Sequence, residues 1–189
     1  MNILKPFIRL TGHIYLNKKP FFCLYKPKFH KLKGNEIRTI LNTIKNGDIL
    51  LRRYHGYLNT ILTPGYWGHV ALYVGRNKVI HALEQGVVKE DILDFCRCDD
   101  FALIRVRDAS REDIKEAILK ANQMEKEGLK YDYEFESGDG EVYCTEMIDV
   151  AYGNIFDKDY ESKWGKNVIL PDRMYDSGRV EKVLAFKHK

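Results

Sequence analysis

The stretch "HVALYVGRNKVIHAL", residues 69–83, constrains the fold more than any other part of the chain. Apolar residues alternate on both sides of Gly75-Arg76-Asn77, which is the pattern of two strands joined by a tight turn. "VVKE" follows Gln85-Gly86 as a third strand, "GDILLRRY" precedes the hairpin, and "FALIRVR" continues the sheet after it. These segments predict an antiparallel meander. "SREDIKEAILKANQMEKEG" is the clearest helix, with Ser110 and Asp113 in a capping-box pattern, Ile114, Ala117, Ile118, Ala121 and Met124 on one face, and Gly128 as terminator. "NEIRTILNTIKNGD" places Ile37, Ile40, Leu41 and Ile44 at helical spacing, with Asn35 as N-cap and Gly47 just past the end. A further helix opens near Cys144, because Met147, Ile148 and Ala151 recur at helical spacing. "VILPDRMYDS" and "VEKVLAF" read as extended segments at a sheet edge, and residues 13–25 as a hairpin.

A chain of 189 residues suits one domain, and its 44% hydrophobic and 31% charged residues lie far from the disordered regime. We divide it into a basic N-terminal extension, residues 1–34, and a folded domain, residues 35–189. Residues 1–35 hold eight Lys/Arg and no Asp or Glu, so the net charge of +4 is concentrated there and the remainder is net acidic. Such an arm is ordinarily a solvated edge, and it can also contact a polyanion, an anionic membrane surface or an acidic partner. No apolar run approaches the roughly 20 residues of a membrane helix, and Pro6, Gly12 and Pro20 break the N-terminus where a signal peptide needs continuity. Cys23, Cys96, Cys98 and Cys144 form no disulfide framework. Together these features predict a soluble protein of a reducing compartment, the cytoplasm.

Three residues carry candidate chemistry. Cys144 stands in "GDGEVYCTEMIDVAY", where a Gly-rich turn feeds a short extended pair and then a helix. Unpaired N–H groups and the helix dipole favour a thiolate there, and the Cys144 N–H can donate to an oxyanion. Singly, a cysteine at a helix start is small core filler and a histidine at a strand start is a partly buried polar residue. A general base and a polar group that orients it complete a thiol hydrolase, and His69 and His81 are the candidates. Whether they share a face depends on the turn. A two-residue turn, Arg76-Asn77, sets His69 opposite Glu84, which then becomes the orienting group. A three-residue turn puts both histidines on one face and gives that part to His81. Pairing of Cys144 with His69 as ions would keep the thiol reactive well below the ordinary value of about 8.5. Glu146 suits the first helical turn structurally, and Cys96-x-Cys98 with the histidines matches no common zinc spacing, so no metal or other cofactor is expected.

The order of these elements resembles the circularly permuted papain-like (NlpC-like) superfamily. "HVALYVG" with a second histidine twelve positions on is similar to its lecithin:retinol acyltransferase-like branch, and "GLKYDYEF" followed by "VYCTEM" resembles the YaeF/YiiX-type permuted amidases. The resemblance runs from about residue 47 to 153. It implies an α+β papain-like fold, an antiparallel sheet packed on helices with the nucleophile at a helix N-terminus. It also implies Cys144 as nucleophile, His69 as general base and acid, and His81 as orienter, with Tyr143, Tyr133 and Trp67 lining the cleft. His81 stands where the amidase branch more often has Glu, and the acyltransferase string around the nucleophile is lacking. The activity so implied is hydrolysis of amide bonds in peptide or peptidoglycan-derived substrates, through an acyl-enzyme. Lipid acyl chemistry is the second reading, and a non-catalytic module using the basic arm the third.

Overall fold

The computed structural model describes residues 15–17 and 22–24 as backbone, and residues 30–56, 65–135 and 140–188 in full. Most of the basic extension therefore lies outside the described residues. Its hairpin is present as β1 (Tyr15–Asn17) and β2 (Phe22–Leu24), paired antiparallel. After α1 (Gly34–Thr43) come β3 (Ile49–Arg53), β4 (His69–Gly75), β5 (Lys78–Leu83), β6 (Gly86–Asp91), the single-turn α2 (Ile92–Phe95) and β7 (Asp100–Val106). Then follow α3 (Arg111–Glu127), β8 (Lys130–Tyr131), β9 (Glu141–Val142), α4 (Cys144–Ala151), β10 (Glu161–Lys163), β11 (Lys166–Val168), α5 (Pro171–Asp176) and β12 (Val180–Phe186).

Six strands form one antiparallel sheet in the order β12-β7-β3-β4-β5-β6. Its central strands are apolar on both faces because both are covered. Ile49, Leu51, Val70, Leu72, Ala102 and Ile104 face a layer containing Ala117, Ala121 and Met124 of α3 and Met147, Ile148 and Ala151 of α4. Leu50, Ala71, Tyr73, Phe101 and Leu103 face the opposite layer, where Leu32, Ile40 of α1, and Ile92 and Phe95 of α2 pack. Leu32, within the segment assigned to the extension, is thus part of the second core layer.

α3 begins and ends as its sequence dictates. Ser110 Oγ accepts the Asp113 N–H at 3.1 Å, Asp113 accepts the Ser110 N–H at 2.8 Å, and Gly128 closes the helix at φ 66°. α1 starts two residues earlier than Asn35 as N-cap would place it. Lys33 is its N-cap, and the Lys33 N–H donates to Glu36 Oε2 at 2.7 Å. The "VILPDRMYDS" segment departs from its extended reading, since residues 171–176 are helical with Pro171 in the first turn. β12 is the sheet edge, as expected. No helix among the described residues is long and apolar enough to cross a membrane.

Candidate active site

β9 delivers the chain directly into α4. Tyr143 is the N-cap and Cys144 the first helical residue, with its side chain 7% exposed. Backbone N–H groups of Val70, Thr145 and Cys144 itself, with the Thr145 side chain, lie on the sulfur's side and favour its anion. The Val70 contact follows from the sheet. Tyr73 exchanges backbone hydrogen bonds with the Gly47-Asp48 side, so by alternation the Val70 amide points toward β5. Paired residues of β4 and β5 stop at Leu72 and Ile80. The ladder therefore opens before Val70, and the Cys144 thiol occupies the opening.

The two imidazoles meet across the same opening. His69 Nε2 lies 2.8 Å from His81 Nδ1. Both rings stand beside Phe95, with centroids 6.2 and 5.6 Å away, on the face that carries Ala71, Tyr73 and Val79. Cys144 belongs to the other layer. No hydrogen bond between its sulfur and either imidazole is present among the described residues.

The hairpin reaches this arrangement without the three-residue turn that would give it directly. The turn holds two residues, Arg76 and Asn77, at φ 53° and 58°, which is a type I′ geometry. Taken alone, it would turn His81 away from His69. A bulge between Tyr73 and Gly75 shifts the register by one, so Tyr73 faces Val79 and Leu72 faces Ile80. Both histidines therefore share a face despite the short turn. Glu84 meets Tyr133 through its backbone carbonyl, which accepts the phenol at 3.3 Å, and His81 is the group within reach of His69.

Beyond the imidazoles lie Glu90 and Arg52. Glu90 Oε2 is 3.3 Å from His81 Nε2 and 3.6 Å from Arg52 Nη1, and the Arg52 guanidinium lies 4.4 Å over the Phe95 ring. Register explains the convergence, since Glu90 pairs with Val79 and Arg52 with His69. Sequence reasoning missed both residues, because only the β5–β6 and β3–β4 registers bring them to the histidines.

Burial governs protonation here. It pushes the Cys144 thiol up to about 11, against the N–H groups that favour its anion. Burial also lowers His69 well below its ordinary value, and the Arg52 and His81 charges act in the same direction. His81 falls to about 3 through burial and then Arg52. Glu90 is raised by burial, with Arg52 opposing. Burial thus favours a neutral thiol and neutral imidazoles. A preformed ion pair, the premise of the expected low-pH reactivity, is not its resting state.

The residues expected to line a cleft are packed: Trp67 is 1%, Tyr143 2% and Tyr133 8% exposed. The Tyr143 hydroxyl accepts the Ile169 N–H at 3.2 Å. Tyr131 and Tyr143 are both phenols near enough for a Cys144 thiolate to act on them, and burial first, then that charge among others, raises Tyr131 well above its ordinary value. Cys96 and Cys98 are buried in the second layer, and no cluster of three or more potential metal ligands exists among the described residues. A polar cluster that the sequence reading passed over surrounds Asp100. Its carboxylate receives Tyr66 Oη at 2.5 Å and the His188 N–H at 2.7 Å, and His55 Nε2 lies 2.5 Å away.

No curated protein sequence matches the chain. The crystal structure of YiiX from Escherichia coli O157:H7, titled a metalloprotein, matches with a TM-score of 0.64 at 18% identity, over 77% of this chain and 99% of that one, which is a likeness of fold. The family described as permuted papain-like amidase enzyme, YaeF/YiiX, C92, matches residues 43–184, a span from the end of α1 into β12 that holds the thiol, both imidazoles and the opened ladder. The chain belongs to this family of permuted papain-like amidases, and its function is of the cysteine-hydrolase type.

Proposed function

We propose that the protein cleaves amide bonds with Cys144 as nucleophile, His69 as base and acid, and His81 as the group that orients His69. One observation carries the reading: the Cys144 thiol at the start of α4 enters the opening between β4 and β5 that the His69–His81 pair spans. In the first step the Cys144 proton passes to His69 as sulfur bonds the carbonyl carbon, and the Cys144 N–H faces the developing oxyanion. The imidazolium then protonates the leaving amine as the C–N bond breaks. Water, deprotonated by His69, cleaves the thioester to give a carboxylic acid and the thiol. Peptides, including peptidoglycan-derived fragments, are the substrate class that fits an amidase family.

A metal ion, such as the description of YiiX as a metalloprotein implies for that protein, does not fit this donor set. His69 Nε2 and His81 Nδ1 are directed at each other, and the sulfur lies on the other face. No step is routed through an ion. Intact-mass analysis after incubation with a mixed peptide and acyl-lipid library tests the reading. An adduct on wild-type protein with the mass of a peptide acyl group, absent from Cys144→Ala, is expected. Equal adduct on Cys144→Ala overturns the nucleophile, and a fatty-acyl mass replaces amide with lipid chemistry.

A further inference from the structure

We infer that Glu90, steadied by Arg52, is a positioning residue that fixes the proton pattern of both histidines and so decides which nitrogen of His69 is the base. This rests on the reading of Cys144, His69 and His81 given above. His81 is fully buried, and its Nε2 has no hydrogen-bond partner among the described residues. Glu90 Oε2 is likewise buried and without one, yet the two atoms face each other at 3.3 Å. Two buried polar atoms left unpaired at that distance are costly, and a small rotation of either side chain closes the bond. Arg52, itself 8% exposed, sets its Nη1 3.6 Å from the same oxygen and stacks on Phe95, so the carboxylate is drawn toward this end of the pair.

The consequence is a chain of tautomers. A carboxylate at Glu90 only accepts, so His81 carries its proton on Nε2. Its Nδ1 is then a lone pair, and the 2.8 Å contact requires His69 to donate from Nε2. That leaves His69 with a bare Nδ1, the ring nitrogen nearer its own backbone. The backbone amide next in the chain is that of Val70, on which the Cys144 sulfur rests. The opposite pattern would put a proton on His69 Nδ1 and remove its capacity to act as base. The choice between them is made on β6, at the end of the imidazole pair away from His69.

Nitrogen-15 NMR of the histidine rings in the full chain reads these protons directly. Wild-type protein is expected to show both imidazoles neutral, protonated at Nε2 and bare at Nδ1, and Glu90→Ala is expected to lose that pattern at His81. Glu90→Gln keeps an acceptor oxygen and serves if Glu90→Ala does not fold. There pattern and rate should move together: with the amide oxygen toward His81 both the pattern and acylation by p-nitrophenyl acetate are retained, and with the NH2 toward His81, as in Glu90→Ala, the pattern is lost and acylation falls about tenfold to a hundredfold, the range for losing a partner that orients a histidine. Wild-type His81 protonated at Nδ1, an unchanged pattern in Glu90→Ala, or wild-type acylation in a variant that has lost the pattern overturns the inference. Acylation of Cys144→Ala at the wild-type rate would instead overturn the nucleophile, leaving the tautomer result intact.

Discussion

Cys144 and His69 are driven to neutrality by the same cause, burial, which raises an acid and lowers a base. Alkylation of Cys144 by iodoacetamide should therefore accelerate only above the ordinary thiol range of about 8.5. A plateau of reactivity from pH 6 to 8, followed by mass spectrometry of the Cys144 peptide, would show a preformed ion pair and contradict this. Asp172 holds the approach to His69. Its two oxygens accept the N–H groups of Tyr66 and Trp67 at 2.9 and 3.0 Å, and a Cβ at Gly65, φ +103°, would lie 2.2 Å from Oδ2. Asp172→Ala should cost about 1–3 kcal/mol in urea unfolding, as two amides lose their acceptor; an unchanged midpoint would show that the loop finds other partners. At this scale Cys144 was legible in the sequence, because a Gly-rich turn before an amphipathic run marks a helix start. Glu90, Arg52 and Tyr131 were not, since nothing in a strand's composition says which neighbour its register will face.

At the scale of elements, the β4–β5 hairpin shows how a local count misleads. The alternation of "HVALYVGRNKVIHAL" predicts both strands and the tight turn, and the turn is the short one. One bulged residue still reverses the conclusion drawn from it, because side chains alternate with period two and a single-residue slip exchanges faces. α5 was hidden for a different reason. Its six residues give barely two turns in which to display a helical period, while Pro171, which reads as a breaker, occupies the first turn where proline is favoured. α3, with seventeen residues and a complete capping box, was legible throughout. Ser110→Ala should lower stability by about 1 kcal/mol through the lost cap. A scan of this chain would register that as a fall in Tm of roughly 2–4 °C. The acylation rate should stay at the wild-type value, because the cap is exposed and far along the chain from the opened ladder; loss of rate at unchanged Tm would mean that α3 communicates with the site.

For the whole molecule, the sheet between two helical layers places His69, His81, Glu90 and Asp48 where burial favours their neutral forms, and stability inherits their titration. His81 binds its proton at about 3 in the folded chain and near 6.5 when unfolded. Between those values the unfolded chain holds more protons, so stability from this group is complete above about 6.5 and is lost as pH falls toward 3. His69, also lowered, acts in the same direction. Glu90 and Asp48, raised by burial, act oppositely, favouring the fold below their unfolded values and losing that contribution as pH rises. The net acid slope of the protein therefore mixes signs, and the histidine share emerges only by difference. His81→Asn keeps a polar side chain that can pair with His69 but removes one proton-binding site. Urea unfolding at intervals from pH 4 to 7 should give a wild-type free energy that falls more steeply than the variant's toward acid, with the gap between the two curves changing by as much as about 1.4 kcal/mol per pH unit. Parallel curves across that window would mean that His81 takes up its proton in the folded protein as readily as in the unfolded chain. That state would need Glu90 as a true ion-pair partner, and the neutral relay from Glu90 to His69 would be lost with it.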